Sequence, residues 1–291
     1  MANKNKKDKD IDQLSGTETT GHVWDGIREL NTPSPRWWLI TFVITIIWAI
    51  GYWIVYPAWP TLEGHTKGIK GWTSYQQLAE SREEIMARKA GRLERLAKTP
   101  LERVKENSDL YQFSLAGGAA AFKNHCAVCH GTGAEGQKGY PNLNDDDWLW
   151  GGKVDEIYTT IKYGIRSDHE DTYVSDMPAF ARDELLETAD IRTLTDYIQA
   201  LPNSKDITSH AGATLFADNC ASCHGEDAKG NQEVGAPNLA DAIWLFGDSR
   251  EDIIYTISNS RKGVMPHWEG KLDDNTIKQL ALYVHSLGAG E

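Results

Sequence analysis

Two copies of the pentapeptide Cys-x-x-Cys-His hold every cysteine of this chain, and they constrain its fold more than any other feature. The first lies in HCAVCHG at 125–131 and the second in NCASCHG at 219–225. Further matches follow in the same order in both halves: PNL, then WLWGG or WLFGD, then MPAF or MPHW, then LTDYIQAL or LALYVHSL. The repeat predicts a duplicated domain, with one copy over 109–202 and the other over 207–291.

Each copy is expected to be mostly helix and loop, because no convincing alternating strand pattern is present. The predicted helices are 110–127, 153–164 and 183–201 in the first copy, and 210–222, 249–260 and 273–287 in the second. Domains of about 90 residues bury little apolar surface, so a bound cofactor would be expected to help stabilise each one.

The spacing of the motif indicates what it holds. Positions i, i+3 and i+4 share a helix face, so Cys126, Cys129 and His130 point to one side, as do the matching Cys220, Cys223 and His224. Two thiols that bond to vinyl groups, followed by an iron-binding histidine, are the attachment signature of c-type haem. The alternatives are a Cys₄ zinc site, which leaves both histidines unexplained, and a redox dithiol, which would expect a βαβ context. Two covalently bound c-type haems are therefore predicted.

Methionine is the expected second ligand of each iron. Met177 and Met265 hold matching places in the repeat, and each is followed by proline. The linear order of the repeat pairs Met177 with His130 and Met265 with His224. A thioether opposite imidazole raises the reduction potential, as in electron-transfer cytochromes. The rival ligands are His169, in an insertion at 167–176 that the second copy lacks, and His267.

A single membrane anchor precedes the repeat. No charge occurs from Trp37 to Tyr56, and 20 residues at helical rise span about 30 Å, the thickness of the hydrocarbon layer. The predicted transmembrane helix is 36–57, and its length and late start argue against a buried core helix or a cleaved signal peptide.

Charge gives the anchor an orientation. Six Lys or Arg residues precede the span, whereas only Lys67 and Lys70 closely follow it. The positive-inside rule then places segment 1–35 in the cytoplasm and the haem domains in the periplasm of a bacterial inner membrane. The net charge of −12 falls entirely after residue 60, which makes nucleic acid an unsuitable partner. Residues 58–108 are predicted to be a helical spacer that Pro100 interrupts.

The segment HVWDGIRELNTPSPRWW, directly before the span, resembles the entry segment of the di-haem subunit of cbb3-type cytochrome c oxidases, the CcoP or FixP family. The resemblance covers almost the whole chain. It implies that each domain is similar to a class I cytochrome c, and that the carbonyls of Pro141 and Pro237 orient the two axial histidines. It also implies a cytochrome c donor, and as partners a mono-haem subunit and a catalytic haem–copper subunit.

These features predict a mainly α protein with one transmembrane helix and two tandem cytochrome c-like domains. It would be a non-catalytic electron-transfer subunit of a terminal oxidase. The alternatives are a free-standing membrane-tethered shuttle and a di-haem peroxidase, although a peroxidase would need an open iron position. The acidic body could attract a basic donor by long-range charge.

Overall fold

The structure is a computed structural model that describes residues 10–203 and 209–288. Within these ranges the chain is mainly helical, as predicted, with strands confined to two short hairpins. Lys4, Lys6, Lys7 and Lys9, on which the predicted orientation largely depends, lie outside the described residues, as do residues 207–208 and 289–291 of the second predicted domain.

The chain divides into two compact units, Met1–Met86 and Ala87–Glu291. The described helices and strands are β1 (Thr19–Trp24), β2 (Ile27–Leu30), α1 (Arg36–Val55), β3 (Pro60–Thr61), β4 (Gly64–His65), α2 (Ser74–Lys98), α3 (Ser108–His125), α4 (Ala127–His130), α5 (Val154–Tyr163), α6 (Thr188–Ala200), α7 (Ala213–Asn219), α8 (Ala221–His224), α9 (Arg250–Asn259) and α10 (Asp274–Leu287). Two 3₁₀ helices, Leu101–Glu106 and Leu201–Asn203, complete the list.

The first unit begins with an antiparallel hairpin that sequence reasoning missed. Its strands β1 and β2 pair Trp24 with Ile27 across a two-residue turn. Asp25 and Gly26 have φ of 47° and 85°, the two positive values that a type I′ turn requires.

Helix α1 then follows. Among the described residues it is the one helix long and apolar enough to cross a membrane. It begins after Pro35, whose fixed φ of −56° suits a helix start, and ends at Val55, two residues before Pro57. Beyond it, Lys70 donates its backbone N–H to the carbonyl of Val55, which satisfies one of the carbonyls left open at the helix end.

The second unit contains two hydrophobic cores, each of which combines helices from both halves of the repeat. Helix α10, from the second half, packs on α3 and α5 of the first half. Helix α6, from the first half, packs on α7 and α9 of the second. The two halves of the repeat therefore exchange their last helices.

The first core lies between α3, α5 and α10, together with the end of α2 and the 3₁₀ helix after it. Its most deeply buried side chains include Leu96, Leu110, Phe122, Leu280 and Leu282, each at most 2% exposed. Burying side chains of this size contributes about 1.5–3 kcal/mol each. Most of the apolar surface of α10 is therefore covered by residues of the first half.

The second core lies between α6, α7 and α9. Its largest fully buried side chains are Ile191, Leu194 and Phe216, and its other members include Phe180, Tyr197, Ile198, Ile253 and Ile257. Side-chain caps position the helices that build the two cores. Asn107 accepts from the Leu110 N–H at the start of α3, Ser249 from the Asp252 N–H at the start of α9, and Asp273 from the Thr276 N–H at the start of α10.

Candidate haem sites

Each Cys-x-x-Cys-His motif forms a single helical turn. In α4 the N–H of Cys129 and the N–H of His130 both donate to the carbonyl of Cys126, at 3.1 and 3.0 Å. The turn ends at Gly131, whose φ of 84° favours glycine. The second motif repeats this geometry in α8, where Cys223 and His224 donate to Cys220 at the same two distances. The local fold therefore presents two thiols and one imidazole on one side of each turn.

A backbone carbonyl orients each histidine. His130 Nδ1 lies 3.1 Å from the carbonyl oxygen of Pro141, and His224 Nδ1 lies 2.9 Å from that of Pro237. Nδ1 must donate to a carbonyl, which leaves the lone pair on Nε2. Burial lowers the pKa of both histidines, although the proline carbonyls oppose this effect. A neutral imidazole with a free Nε2 is the form that binds iron.

The cysteines are unpaired and sit in different cores. Cys126 packs against the first core and Cys220 against the second. Burial, with the neighbouring thiol of each pair, raises the pKa of both to about 11. Disulfide exchange needs a thiolate, so a raised thiol pKa disfavours the redox dithiol. Because the two cysteine pairs lie at different cores, the structure does not bring the four thiols together as a Cys₄ zinc site would require.

Met265 packs against the first core, the core that also contacts Cys126. Two backbone hydrogen bonds, both 3.0 Å, join Met265 to Ile165 at the end of α5. Gly164 makes this approach possible. It has φ +75°, and a Cβ there would lie 2.4 Å from the Met265 carbonyl oxygen. The MPHW segment of the second half is thus held against the first core.

Met177 packs against the second core, which also contacts Cys220. Ser260 Oγ donates to the Met177 carbonyl at 2.5 Å, and the Phe180 N–H donates to the Ile257 carbonyl at 3.0 Å. The MPAF segment of the first half therefore follows the C-terminal end of α9, in the second half.

This packing differs from the pairing that the order of the repeat predicted. Met177 lies on the core of the second motif rather than with His130, and Met265 on the core of the first motif rather than with His224. The physical reason is that each methionine loop follows the helix it hydrogen-bonds. The insertion 167–176 lies between Ile165 and Met177, so the chain reaches the second core by Met177. Met265 instead bonds to Ile165, just after α5.

The two rival ligands lie next to each other. The rings of His169 and His267 lie 5.4 Å apart. His169 Nδ1 accepts from the Asp171 N–H at 3.0 Å, so its Nε2 donates to Glu269 at 2.8 Å. With both ring nitrogens in use, His169 has no lone pair free for iron. His267 Nδ1 lies 3.0 Å from an Asp168 carboxylate oxygen.

One feature of the WLW segment, the environment of the Trp148 indole N–H, was missed from the sequence. Trp148 packs against the first core with its indole N–H buried and without an acceptor. A buried donor needs a partner, and a cofactor that carries carboxylates, as haem does, supplies one. The residues present therefore fit a haem. Directly before this segment, burial and the carboxylates of Asp241, Asp145 and Asp146 raise the pKa of Asp147 to about 6.

The two cores define a c-type cytochrome that follows one membrane helix in the chain. Each core has a Cys-x-x-Cys-His turn, a carbonyl-bound histidine and a methionine. The model of the N-terminal domain of cytochrome oxidase-cbb3, FixP, matches residues 16–63. The model of cytochrome c oxidase, cbb3-type, subunit III matches 114–198 and 208–284. The chain belongs to the family of subunit III of cbb3-type cytochrome c oxidases, which confirms the resemblance predicted from the sequence. Its role is electron transfer.

The relatives agree over almost the full length. The chain is 51% identical over 285 residues to the cbb3-type cytochrome c oxidase subunit FixP of Bradyrhizobium sp. (strain ORS 278), covering 97% of this chain and 98% of that protein. It is 51% identical over 288 residues to FixP of Rhizobium meliloti (strain 1021), covering 98% and 99%. It is 46% identical over 276 residues to subunit CcoP of Cereibacter sphaeroides, covering 94% and 95%.

Proposed function

We propose that this chain binds two c-type haems, one in each core. Through them it would pass electrons from a cytochrome c donor toward a mono-haem subunit and a catalytic haem–copper subunit that reduces oxygen. The observation that carries the proposal is the complete set of haem-binding groups in each core. Each set combines an imidazole, its carbonyl partner, two thiols, the first of which packs against the core, and a methionine.

The protein groups have distinct roles. Cys126 and Cys129 would hold the first haem, and Cys220 and Cys223 the second, each by adding S–H across a vinyl group with nothing released. Bound haem supplies an iron that accepts or releases one electron. The carbonyls of Pro141 and Pro237 keep Nε2 of each histidine directed at that iron, and the apolar cores limit water around it.

We also propose that the methionines are exchanged between the halves. His130 and Met265 would bind the first iron, and His224 and Met177 the second. The packing of each methionine on the core of the other half's motif supports this assignment. It replaces the pairing taken from the order of the repeat. The haem-binding folds would accordingly not coincide with 109–202 and 207–291, because α6 and α10 cross between them.

One-haem chains test the exchange. Replacing Cys220 and Cys223 with alanine leaves only the first haem. In that chain Met265→His should lower the midpoint potential and abolish the methionine–iron charge-transfer band, whereas the matched control Met177→His should change neither. The opposite result would restore the pairing within each half. The reciprocal chain, lacking Cys126 and Cys129, should respond to Met177→His alone.

The chain is membrane-anchored, and we propose that its N-terminus is cytoplasmic and its haem cores periplasmic. The excess of Lys and Arg before α1 supports this orientation. We further propose that the chain has no oxygen-reducing site of its own. A methionine against each haem core would leave neither iron open to oxygen or peroxide.

Purification from native membranes tests the function as a whole. The protein is isolated in mild detergent, its haem c content per chain is measured, and its reduced-minus-oxidised spectrum is recorded. Two haems c per chain, haem b signals from co-purified subunits and cyanide-sensitive oxygen uptake are expected. A clean c-type spectrum with no partners and no oxygen uptake would instead identify a tethered shuttle, and peroxidase activity would contradict methionine ligation.

A further inference from the structure

The two loops that orient the iron-binding histidines are held by the opposite half of the chain. Loop 1 (136–141) ends at Pro141, whose carbonyl accepts from His130, and loop 2 (230–237) ends at Pro237, whose carbonyl accepts from His224. Gly139 and Gly235 occupy the same place in the two loops, two residues before each proline. A side chain that contacts either glycine therefore lies close to the histidine side of that site.

Trp150 presses on loop 2. The residue is 9% exposed, and its ring lies so close to Gly235 that a Cβ there would be 2.2 Å from ring atom Cε2. The neighbouring Gln232 side chain donates to the Trp148 carbonyl at 3.0 Å. The WLW segment of the first half thus lies directly against the loop that orients the second half's histidine.

The reciprocal contact is present but looser. Phe246 is the counterpart of Trp150 in the repeat, and it lies against Gly139, where a Cβ would be 3.5 Å from its ring. The Gly139 N–H donates to the Leu245 carbonyl at 2.8 Å, and Lys138 binds the Asp252 carboxylate at 2.7 Å. Trp150 contacts Gly235, and the equivalent Phe246 contacts the equivalent Gly139. Such reciprocal contacts are typical of a pseudo-two-fold interface, here between the histidine sides of the two sites.

The insertion in the first half supports Trp150 from behind. Tyr173 stacks on Trp150 with ring centroids 4.4 Å apart and planes at 16°. The Tyr173 backbone bonds to Arg166 at 2.8 Å and to Gly164 at 3.2 Å. Gly164 in turn lies against the Met265 carbonyl. Continuous packing therefore connects the methionine side of the first site, through Tyr173 and Trp150, to the histidine side of the second.

We infer that Trp150, seated on Gly235 and braced by Tyr173, is a positioning residue that sets the distance and orientation between the two haem sites, and so the rate of electron transfer between them. The inference rests on the function proposed above. The step moves one electron from the reduced iron site to the oxidised one and makes or breaks no bond. Phe246 acts on Gly139 in the same way, but this looser contact tolerates an added methyl group.

A matched pair of glycine variants tests this in the full-length, haem-loaded protein. Gly139 and Gly235 both have positive φ, +89° and +60°, so alanine strains the backbone at either position. Only in Gly235→Ala would the new Cβ collide with the opposite half, and the Trp150 ring would have to move by about 1.2 Å to reach ordinary contact. In Gly139→Ala the methyl group meets Phe246 at ordinary contact distance.

Two readouts report the geometry between the sites. Exciton coupling in the Soret circular dichroism reports the relative orientation of the haems, and electron equilibration after flash reduction reports the rate. Gly235→Ala should alter the exciton signal and slow equilibration tenfold or more, equivalent to ~1.4 kcal/mol of barrier. Gly139→Ala should leave the rate within about twofold, a barrier change well below that one. In a Trp150→Leu background, Gly235→Ala should have little further effect, because the colliding ring is gone.

Tyr173→Leu provides a test that adds no backbone strain. It should weaken the exciton signal and slow equilibration by a smaller factor, and it decides the matter if Gly235→Ala fails to fold. Each variant is compared with the unmodified protein only where it retains two haems per chain and unchanged midpoint potentials. With those in place, an unchanged exciton signal and rate in Gly235→Ala or, where that variant does not fold, in Tyr173→Leu would overturn the inference. Fewer than two haems in the unmodified chain would instead contradict the proposed function.

Discussion

The close approach of α3 and α10 gives the sharpest test of the helix exchange, because two adjacent glycines of α3 face α10 differently. A Cβ on Gly118 would lie 2.2 Å from the Gln279 carbonyl oxygen and 2.6 Å from Tyr283 Cβ. The three atoms nearest to a Cβ on Gly117 all belong to the end of the Gln279 side chain, the closest at 2.4 Å. A side-chain end can rotate away, whereas a helix backbone cannot.

The expected magnitudes follow from opposing effects. Alanine in place of glycine stabilises a helix interior by about 1 kcal/mol. Overpacking against backbone costs about 1–3 kcal/mol, and a contact of 2.2 Å belongs at the upper end. Gly118→Ala should therefore lower the free energy of unfolding by about 2 kcal/mol, which corresponds to a Tm lower by roughly 4–8 °C. Gly117→Ala should stay within about 1 kcal/mol of the unmodified protein.

The assay is guanidinium unfolding of the full-length, haem-loaded protein in detergent, followed by far-ultraviolet circular dichroism and by the methionine–iron charge-transfer band. Gly118→Ala should release the methionine of the first core at lower denaturant, because α10 and Met265 belong to the same core. Equal behaviour of the two variants would refute the close packing of α3 on α10. Early loss of methionine from the second core alone would refute the exchange.

Three further outcomes are expected. Asp147→Asn should stabilise the protein by about 1 kcal/mol at pH 7.5, after allowance for partial exposure, and by nothing near pH 4, with the exposed Asp218→Asn as control. Asp147 has a pKa of about 6 in the folded state and 3.8 in the unfolded state, so its ionisation destabilises the fold as pH rises between these values. A larger stabilisation at pH 4 than at pH 7.5 would contradict this reasoning. Ser260→Ala removes the hydrogen bond to the Met177 carbonyl and should lower the free energy of unfolding by about 1 kcal/mol, measured by denaturant titration. Electron entry from a basic cytochrome should slow as salt is added in stopped-flow experiments, because the body after residue 60 carries the whole net charge of −12, and a rate independent of salt would exclude steering by charge.

Helices were predictable because their signals are local. The repeat and its apolar spacing predicted 153–164 and 273–287, and the structure has Val154–Tyr163 and Asp274–Leu287. The spacer was predicted to break at Pro100, and α2 indeed ends at Lys98. The hairpin before the membrane helix was missed, although Trp24-Asp25-Gly26-Ile27 carries a recognisable turn signal.

The exchange of helices could not be read from the sequence for a different reason. In a duplicated chain α6 and α10 carry equivalent apolar faces, so either can cover either core as far as patterning is concerned. The choice depends on which loop pairs with which helix end, as Met265 does with Ile165, and such long-range contacts leave no periodic signal. The buried indole N–H of Trp148, which has no acceptor, could not be predicted either, because a sequence does not show which donors become buried.

The exchange changes what the duplication means physically. Two independent domains would keep separate stabilities and would be free to move on the short connection between them. Here each core loses a helix and a methionine if the other half is absent, since α10 and Met265 complete the first core and α6 and Met177 the second. The two sites are thus linked through shared chain as well as through the contacts of Trp150 and Phe246. Transfer between fixed sites needs a constant separation, and a chain that crosses twice between two small cores restricts that separation more than one surface contact could.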